Sequence, residues 1–287
     1  MEQPKWLDRG EYPFLSHFFD DEGTKQHYID VGKGDTLLFV HGTPSWSFDF
    51  RNVIKCLSNS YRCVAIDHIG FGLSDKPTDY DYTVQHHARR LERFIAYMGL
   101  KSVTLVLHDF GGPIGLSYAI KFPENINRLV ILNSWIGSSE ADPEFIKLSK
   151  VLRSPLLPFL YLYLNFSPKF LLPQSFGKRK LSRNILSQFI KPFASKSQRY
   201  GLLSFAKSLL TDQQWFEALW NSRNSLQAKP FLLIWGMADK FITERYLYKF
   251  ISGFENCEAV KLQNAGHFPQ EEEPERVAHA IVSFMSD

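Results

Sequence analysis

The chain has 287 residues, 44% hydrophobic and 22% charged at a net +3, a globular balance that excludes disorder and allows one large α/β domain with an insertion or two small domains. No run of about 18 apolar residues is present to span a membrane, and the charged N-terminus shows no signal peptide. Three scattered cysteines (Cys56, Cys63, Cys257), odd in number and without a CxxC pair, speak against a disulfide framework or zinc site and for a reducing compartment, so the expected location is cytoplasmic.

In chain order, residues 26–31 alternate weakly and predict an early strand, and residues 36–40 a stronger, fully buried one. His41-Gly-Thr-Pro-Ser-Trp46 is a turn-rich break from which residues 49–57 continue as a short helix. Residues 62–66 predict the next strand, which opens into the glycine-punctuated loop 67–74. Residues 83–98 have helical spacing, with Thr83 as N-cap and Gly99 just past the end. Thr104-Leu-Val-Leu-His-Asp-Phe-Gly-Gly112 then reads as a buried strand that breaks into a close-packed helix over 113–120, leaving one acid, Asp109, at the corner. A strand turning sharply into a helix pushes the corner side chain out of the sheet, beside the first free N–H groups of the helix. Periodicity alone serves equally well to make Asp109 a helix cap. Residues 128–132 predict another strand, ending at Asn133-Ser-Trp135. This alternation implies parallel crossovers in a covered sheet, whose ligands bind beyond the carboxyl ends of the strands. The loops 41–46 and 67–74 and Asp109 all fall there.

Residues 145–211 break the pattern: no good strand is visible, Pro155, Pro158, Pro168, Pro173 and Pro192 recur, and apolar residues are spaced helically. The expected organisation is a helical cap, residues 138–211, set into a core made of residues 1–137 and 212–287. The stretch 145–211 carries twelve Lys or Arg and no Asp or Glu; with the whole chain at +3, those twelve leave the remainder at −9. Charge segregated this far concerns partners rather than fold. A solvated outer face, attraction of anionic substrates, and contact with an anionic membrane near the apolar run 156–166 are the three readings. No nucleic-acid motif accompanies the charge, so no nucleic-acid partner is expected.

Residues 230–235 predict a buried strand leading into Gly236-Met-Ala-Asp239, and residues 258–262 a last strand leading into Asn264-Ala-Gly-His267-Phe-Pro-Gln270. A closing helix is expected over 271–285, with acids in its first turn. Asp239 and His267 therefore stand on carboxyl-end loops, as Asp109 does. Their order, nucleophile then acid then histidine, is that of α/β-hydrolases among the triad folds. Singly, a turn-forming Asp or a hydrogen-bonding His explains each; together they predict a catalytic triad. An Asp carboxylate attacking carbon leaves an alkyl ester on the enzyme, chemistry suited to displacement at saturated carbon or to opening a strained ring. His267, oriented by Asp239, then activates water, and the backbone N–H groups of Thr43 and Phe110 receive the oxyanion. His41, His68 and His108 are expected to order loops. The glycines at 70, 72, 111 and 112 lack the context of a nucleotide loop, and no metal or organic cofactor is implied.

His41-Gly-x-Pro-x-Trp-Ser47, Asp67-x-x-Gly-Phe-Gly-x-Ser-Asp-Lys-Pro77, His108-Asp-x-Gly-Gly112 and Gly266-His-Phe-x-Gln-Glu271 together resemble the haloalkane dehalogenase branch of the α/β-hydrolase superfamily, from about residue 12 to 285. The resemblance implies a mostly parallel central sheet flanked by helices, with a helical cap inserted after the sixth strand. It also implies a hydrolase acting on a small apolar substrate with water, with Asp109 as nucleophile, His267 as base and Asp239 as acid. Some relatives place the acid after the preceding strand, where this chain has Asn133. The phrase 67–77 and Tyr61-Arg62 also resemble the β-lactone decarboxylases of olefin biosynthesis. Epoxide hydrolases share the Asp nucleophile but need cap tyrosines, for which Tyr161, Tyr163 and Tyr200 are candidates. A non-catalytic homologue that binds a ligand or docks on a membrane is the reading from another class. The chain departs from the dehalogenase pattern where halide is held: a Trp after the nucleophile and a donor such as Asn after His-Gly are usual, whereas this chain has Phe110 and Thr43. Trp46, Trp135 or a residue of the cap is the expected substitute in the leaving-group pocket.

Overall fold

A computed structural model describes residues 4–286 and gathers eight strands into one sheet. The strands are β1 (His17–Asp21), β2 (Thr24–Val31), β3 (Thr36–Val40), β4 (Arg62–Ile66), β5 (Val103–Asp109), β6 (Ile126–Ser134), β7 (Phe231–Gly236) and β8 (Cys257–Leu262). Their order across the sheet is β1-β2-β4-β3-β5-β6-β7-β8. The pairs β1–β2 and β2–β4 are antiparallel and every other pair is parallel.

The helices of the first half are α1 (Arg51–Leu57), α2 (Val84–Tyr97) and α3 (Gly111–Lys121). Between β6 and β7 come α4 (Pro143–Leu152), α5 (Leu157–Leu162), α6 (Leu172–Ser175), α7 (Arg183–Ile190), α8 (Tyr200–Thr211) and α9 (Gln213–Asn221). The last are α10 (Glu244–Gly253), α11 (Pro269–Glu272) and α12 (Pro274–Ser286).

Apolar residues run almost unbroken through β3, β5 and β7 because parallel strands covered on both faces have no wet side. Successive side chains still part company. Leu38, Val40, Leu105, Leu107, Ile131 and Leu233 pack with α2, α3 and α10, whereas Leu37, Phe39, Val106, Val130 and Ile234 pack with α1 and α12. The helices therefore sandwich the sheet, and the parallel strands deliver their loops to one edge.

Thr83 caps α2 as expected, its side-chain oxygen accepting from the His86 N–H at 3.3 Å. Among the described residues no strand lies between β6 and β7. Within that helical stretch α4 and α5 both pack on α8, while α9 returns to pack on α3. No described helix is long and apolar enough to cross a membrane. Two features depart from the sequence expectation. The edge strand β1 is additional, and the closing helix is interrupted at Glu273, where Pro274 starts a new one.

Candidate active site

The corner after β5 is built by sterics. Asp109 has φ +51°, a left-handed backbone that a non-glycine residue adopts only under constraint, and this turn lifts its carboxylate above the sheet. Helix α3 leaves at once, close against the neighbouring strand: a Cβ on Gly111 would lie 2.0 Å from the Val40 carbonyl oxygen. The carboxylate itself needs space, and a Cβ on Gly42 would stand 2.0 Å from Asp109 Oδ1. Ser134 at the end of β6 donates to the Asp109 carbonyl at 2.6 Å and pins the turn from the other side.

The two carboxylate oxygens have different surroundings. Oδ1 accepts from the Thr43 N–H at 2.8 Å, while Oδ2 lies 3.3 Å from His267 Nε2. The opposite ring nitrogen, His267 Nδ1, lies 2.7 Å from Asp239 Oδ2. Asp239 is in turn held by three further donors: the Asn133 amide to Oδ2 at 2.9 Å, and the Phe241 and Ile242 N–H groups to Oδ1 at 2.7 and 3.2 Å. Burial opposes the charge of Asp239, but His267 and the backbone donors outweigh it and lower its pKa. Burial would likewise lower the pKa of His267. Its flanking carboxylates Asp239 and Asp109 prevail and raise it to about 10.

Three loops from the carboxyl ends of β5, β7 and β8 thus converge, as expected from the sequence. His41 and His68 join the loops after β3 and β4, and His108 holds the loop after β8. His41 Nε2 accepts from the His68 N–H at 2.9 Å, His68 Nε2 lies 2.9 Å from the His41 carbonyl, and His108 Nε2 lies 2.7 Å from the His267 carbonyl. Asp67 anchors the loop that carries Thr43, accepting from the Ser47 N–H at 2.8 Å and pairing with His27 at 2.9 Å.

Asp109 and His267 open into a cavity of about 400 Å³. Its walls are Phe110 and Trp135 from the core, Leu148, Leu152 and Leu209 from the helical stretch, and Phe241 and Ile242 beside Asp239. Trp135 meets Phe110 edge-on at 4.8 Å, as a pocket residue should. Trp46 does not line this cavity, which corrects the expectation. Its ring turns away to stack on Phe48 at 5.2 Å, and its indole N–H donates to the Gln188 carbonyl at 3.1 Å. Of the three tyrosines considered as ring activators, Tyr161 lines the cavity, whereas Tyr163 and Tyr200 do not.

Glu272 had not been singled out from the sequence. Its carboxylate accepts from the Gly266 N–H at 2.7 Å and the Gly177 N–H at 2.8 Å, joining the histidine loop to the helical stretch. The same seam carries two backbone bonds, His267 N–H to the Ser175 carbonyl at 2.8 Å and Lys178 N–H to the Asn264 carbonyl at 2.9 Å. The available signal was the acid two residues beyond Gln270, hidden in a run of three glutamates. Among the described residues no group of three or more His, Cys, Asp or Glu side chains is arranged to hold a metal ion.

Comparison with known proteins agrees with this fold. Residues 35–274 match a family described as alpha/beta hydrolase fold. "Haloalkane dehalogenase 2" of Mycobacterium tuberculosis (strain ATCC 25618 / H37Rv) is 34% identical, covering 94% of this chain and 95% of that protein. A cis-3-alkyl-4-alkyloxetan-2-one decarboxylase of Shewanella oneidensis is 32% identical, covering 96% of this chain and 89% of that protein. Among solved structures, a haloalkane dehalogenase of Agrobacterium tumefaciens C58 superposes with a TM-score of 0.85 at 26% identity, covering 95% of this chain and 96% of that one.

Proposed function

The chain belongs to the alpha/beta hydrolase fold family, in its haloalkane dehalogenase-like branch, and from that premise we propose that Asp109, His267 and Asp239 carry a two-step displacement on a small apolar alkyl substrate. The observation behind this reading is the divided environment of the Asp109 carboxylate. One oxygen is held by the Thr43 N–H, and the other lies beside His267 at the base of the apolar cavity.

In the first step Oδ2 attacks the substrate carbon and expels the leaving group, forming an alkyl ester. Esterification removes one of the two carboxylate charges that keep His267 protonated, so the imidazole becomes a usable base only once the intermediate exists. It then takes a proton from water, which attacks Asp109 Cγ. Charge collects on Oδ1, where the Thr43 N–H and the N–H of Phe110 at the start of α3 receive it; collapse then breaks the Cγ–Oδ2 bond, His267 gives its proton to the departing alkoxide, and the alcohol leaves with Oδ2 while the water oxygen remains in the Asp109 carboxylate. Trp135 is the leaving-group donor in this scheme. Residues 138–211 form the cap that closes the cavity and selects substrates. The three free thiols support a reducing, cytoplasmic setting.

A second reading draws on Phe110 and Thr43, whose side chains offer no N–H to a departing halide, and on the likeness to the Shewanella decarboxylase. Attack by Asp109 on the alkoxy carbon of a β-lactone transfers the leaving charge to a carboxylate still tethered to the substrate. Loss of CO2 from that carboxylate then expels Asp109 and leaves an olefin.

The test is His267→Gln incubated with bromoalkanes and with β-lactones, followed by intact mass. Dehalogenation predicts release of one bromide per chain and a stable adduct at the mass of the alkyl group. Decarboxylation predicts olefin and CO2 even in the variant, because that route uses no water. Turnover surviving in Asp109→Ala defeats both.

A further inference from the structure

Of the twelve cations between residues 145 and 211, eleven are exposed; the exception, Arg199, is spent on the carbonyls of Phe193, Leu162 and Ala194. Among the described residues none of the exposed eleven has an ion-pair partner within 4.0 Å. The positive charge of this surface is therefore uncompensated. The same stretch exposes large apolar side chains: Ile146, Val151, Leu156, Phe159, Tyr163, Leu164 and Phe170 account for seven of the thirteen exposed large hydrophobic residues of the described chain.

The pattern is organised along the helices. On α4, Phe145, Lys147, Leu148 and Leu152 line the cavity, while Ile146 and Lys150, with Arg153 just past the helix end, face outward. Leu156, Phe159 and Tyr163 follow the same-face spacing along α5; Leu156 is 62% exposed, and the rings of Phe159 and Tyr163 stack at 5.4 Å. Helices α4 and α5 both pack on α8, so each turns its exposed side chains away from that helix. Lys196 sits over the Tyr163 ring at 4.5 Å and donates to its hydroxyl, placing a cation at the rim of the apolar side chains.

We infer that this face docks on an anionic lipid surface, with Leu156, Phe159 and Tyr163 entering the headgroup boundary and Lys150, Arg153, Lys169 and Lys196 meeting the phosphates. Charge decides the occupant. A second copy presenting the same face would bring uncompensated cations together, whereas an anionic bilayer offers an apolar layer beneath a negative one, in the order in which this face presents its groups. Since α4 lines the cavity on its other side, apolar molecules dissolved in the bilayer would have a short path inward. Nothing in this inference depends on which bond the enzyme cleaves.

The experiment is flotation of the full chain with vesicles of mixed phosphatidylglycerol and phosphatidylcholine, against vesicles of phosphatidylcholine alone. The chain should float with the anionic vesicles, be released by high salt, and stay behind with the neutral ones. Lys150→Glu/Arg153→Glu and Leu156→Gln/Phe159→Gln alter exposed positions; each pair, with its unfolding temperature unchanged, should weaken partitioning at least about tenfold. Equal flotation on neutral vesicles overturns the proposal. So does an apolar pair that leaves anionic binding untouched, which is the result expected of a general polyanion binder. A dimer that dissolves in the Leu156→Gln/Phe159→Gln variant, with no vesicle binding by the parent chain, assigns the face to a second copy instead.

Discussion

Gly42 and Asp109 show how little room the nucleophile has. A methyl group at position 42 would occupy the place of Asp109 Oδ1, so Gly42→Ala should displace the carboxylate from the Thr43 N–H while leaving the buried strands intact. A shift near 1 Å costs on the order of a hundredfold in rate. Rapid-quench measurement of ester formation should show that loss, with far-UV circular dichroism unchanged. Asp109 and Asp239 were readable from the sequence because each stands at or just past the end of a buried apolar strand; His267 was readable from its place after the last strand, although that strand is charged and partly exposed. Trp46 misled for a related reason. Its place beside Thr43 is adjacent to the site in sequence, but the turn Ser47–Phe50 begins immediately after it, and the ring joins Tyr12 and Phe48 on the opposite side of the loop. Direction after a sharp turn depends on which partners the ring finds, and those partners are remote in sequence. At the end of β6 the chain has an amide, Asn133, in place of an acid. That amide donates to Asp239, which also explains how one buried carboxylate is satisfied on both oxygens.

At the scale of elements, the seam between the histidine loop and the helical stretch is carried by Glu272 and a short run of backbone bonds. Burial pushes the Glu272 carboxyl up to about 7 even though three backbone donors favour its charge, and two of those donors, Gly177 and Gly266, belong to segments remote in sequence. Glu272→Ala strands the Gly266 and Gly177 N–H groups, at about 1–3 kcal/mol for an unpaired buried donor. Calorimetry should show a Tm lower by roughly 2–4 °C for each kcal/mol lost. Because His267 rides on the loosened loop, hydrolysis of the ester should slow more than its formation. The strands flanked on both sides were legible as apolar runs. The edge strand β1 was not: His-Phe-Phe-Asp-Asp mixes rings with acids, and it is a strand because β2 pairs with it along its whole length. The break at Glu273 is not visible in the residue pattern because acids in the first turn of a helix are equally compatible with a helix that starts three residues earlier.

For the molecule as a whole, the triad ties stability to pH. Folding raises the pKa of His267 from 6.5 to about 10, so the protonated imidazole stabilises the native state fully below pH 6.5, and that contribution disappears as pH rises through about 10. The stability difference between the native chain and His267→Gln, followed by urea unfolding, should accordingly be constant in mild acid and shrink between those limits. A difference that grows with pH would mean the imidazole is neutral in the resting enzyme. The seam at Ser175–Lys178 has a wider consequence. The main chain of the helical stretch also supplies the carbonyl that holds the His267 backbone N–H, so the two segments cannot diversify independently. A chimera that exchanges this chain's lid for a foreign one inherits a new specificity only if the graft ends before that short backbone ladder or rebuilds it; otherwise the recipient acquires a different entrance and loses its base.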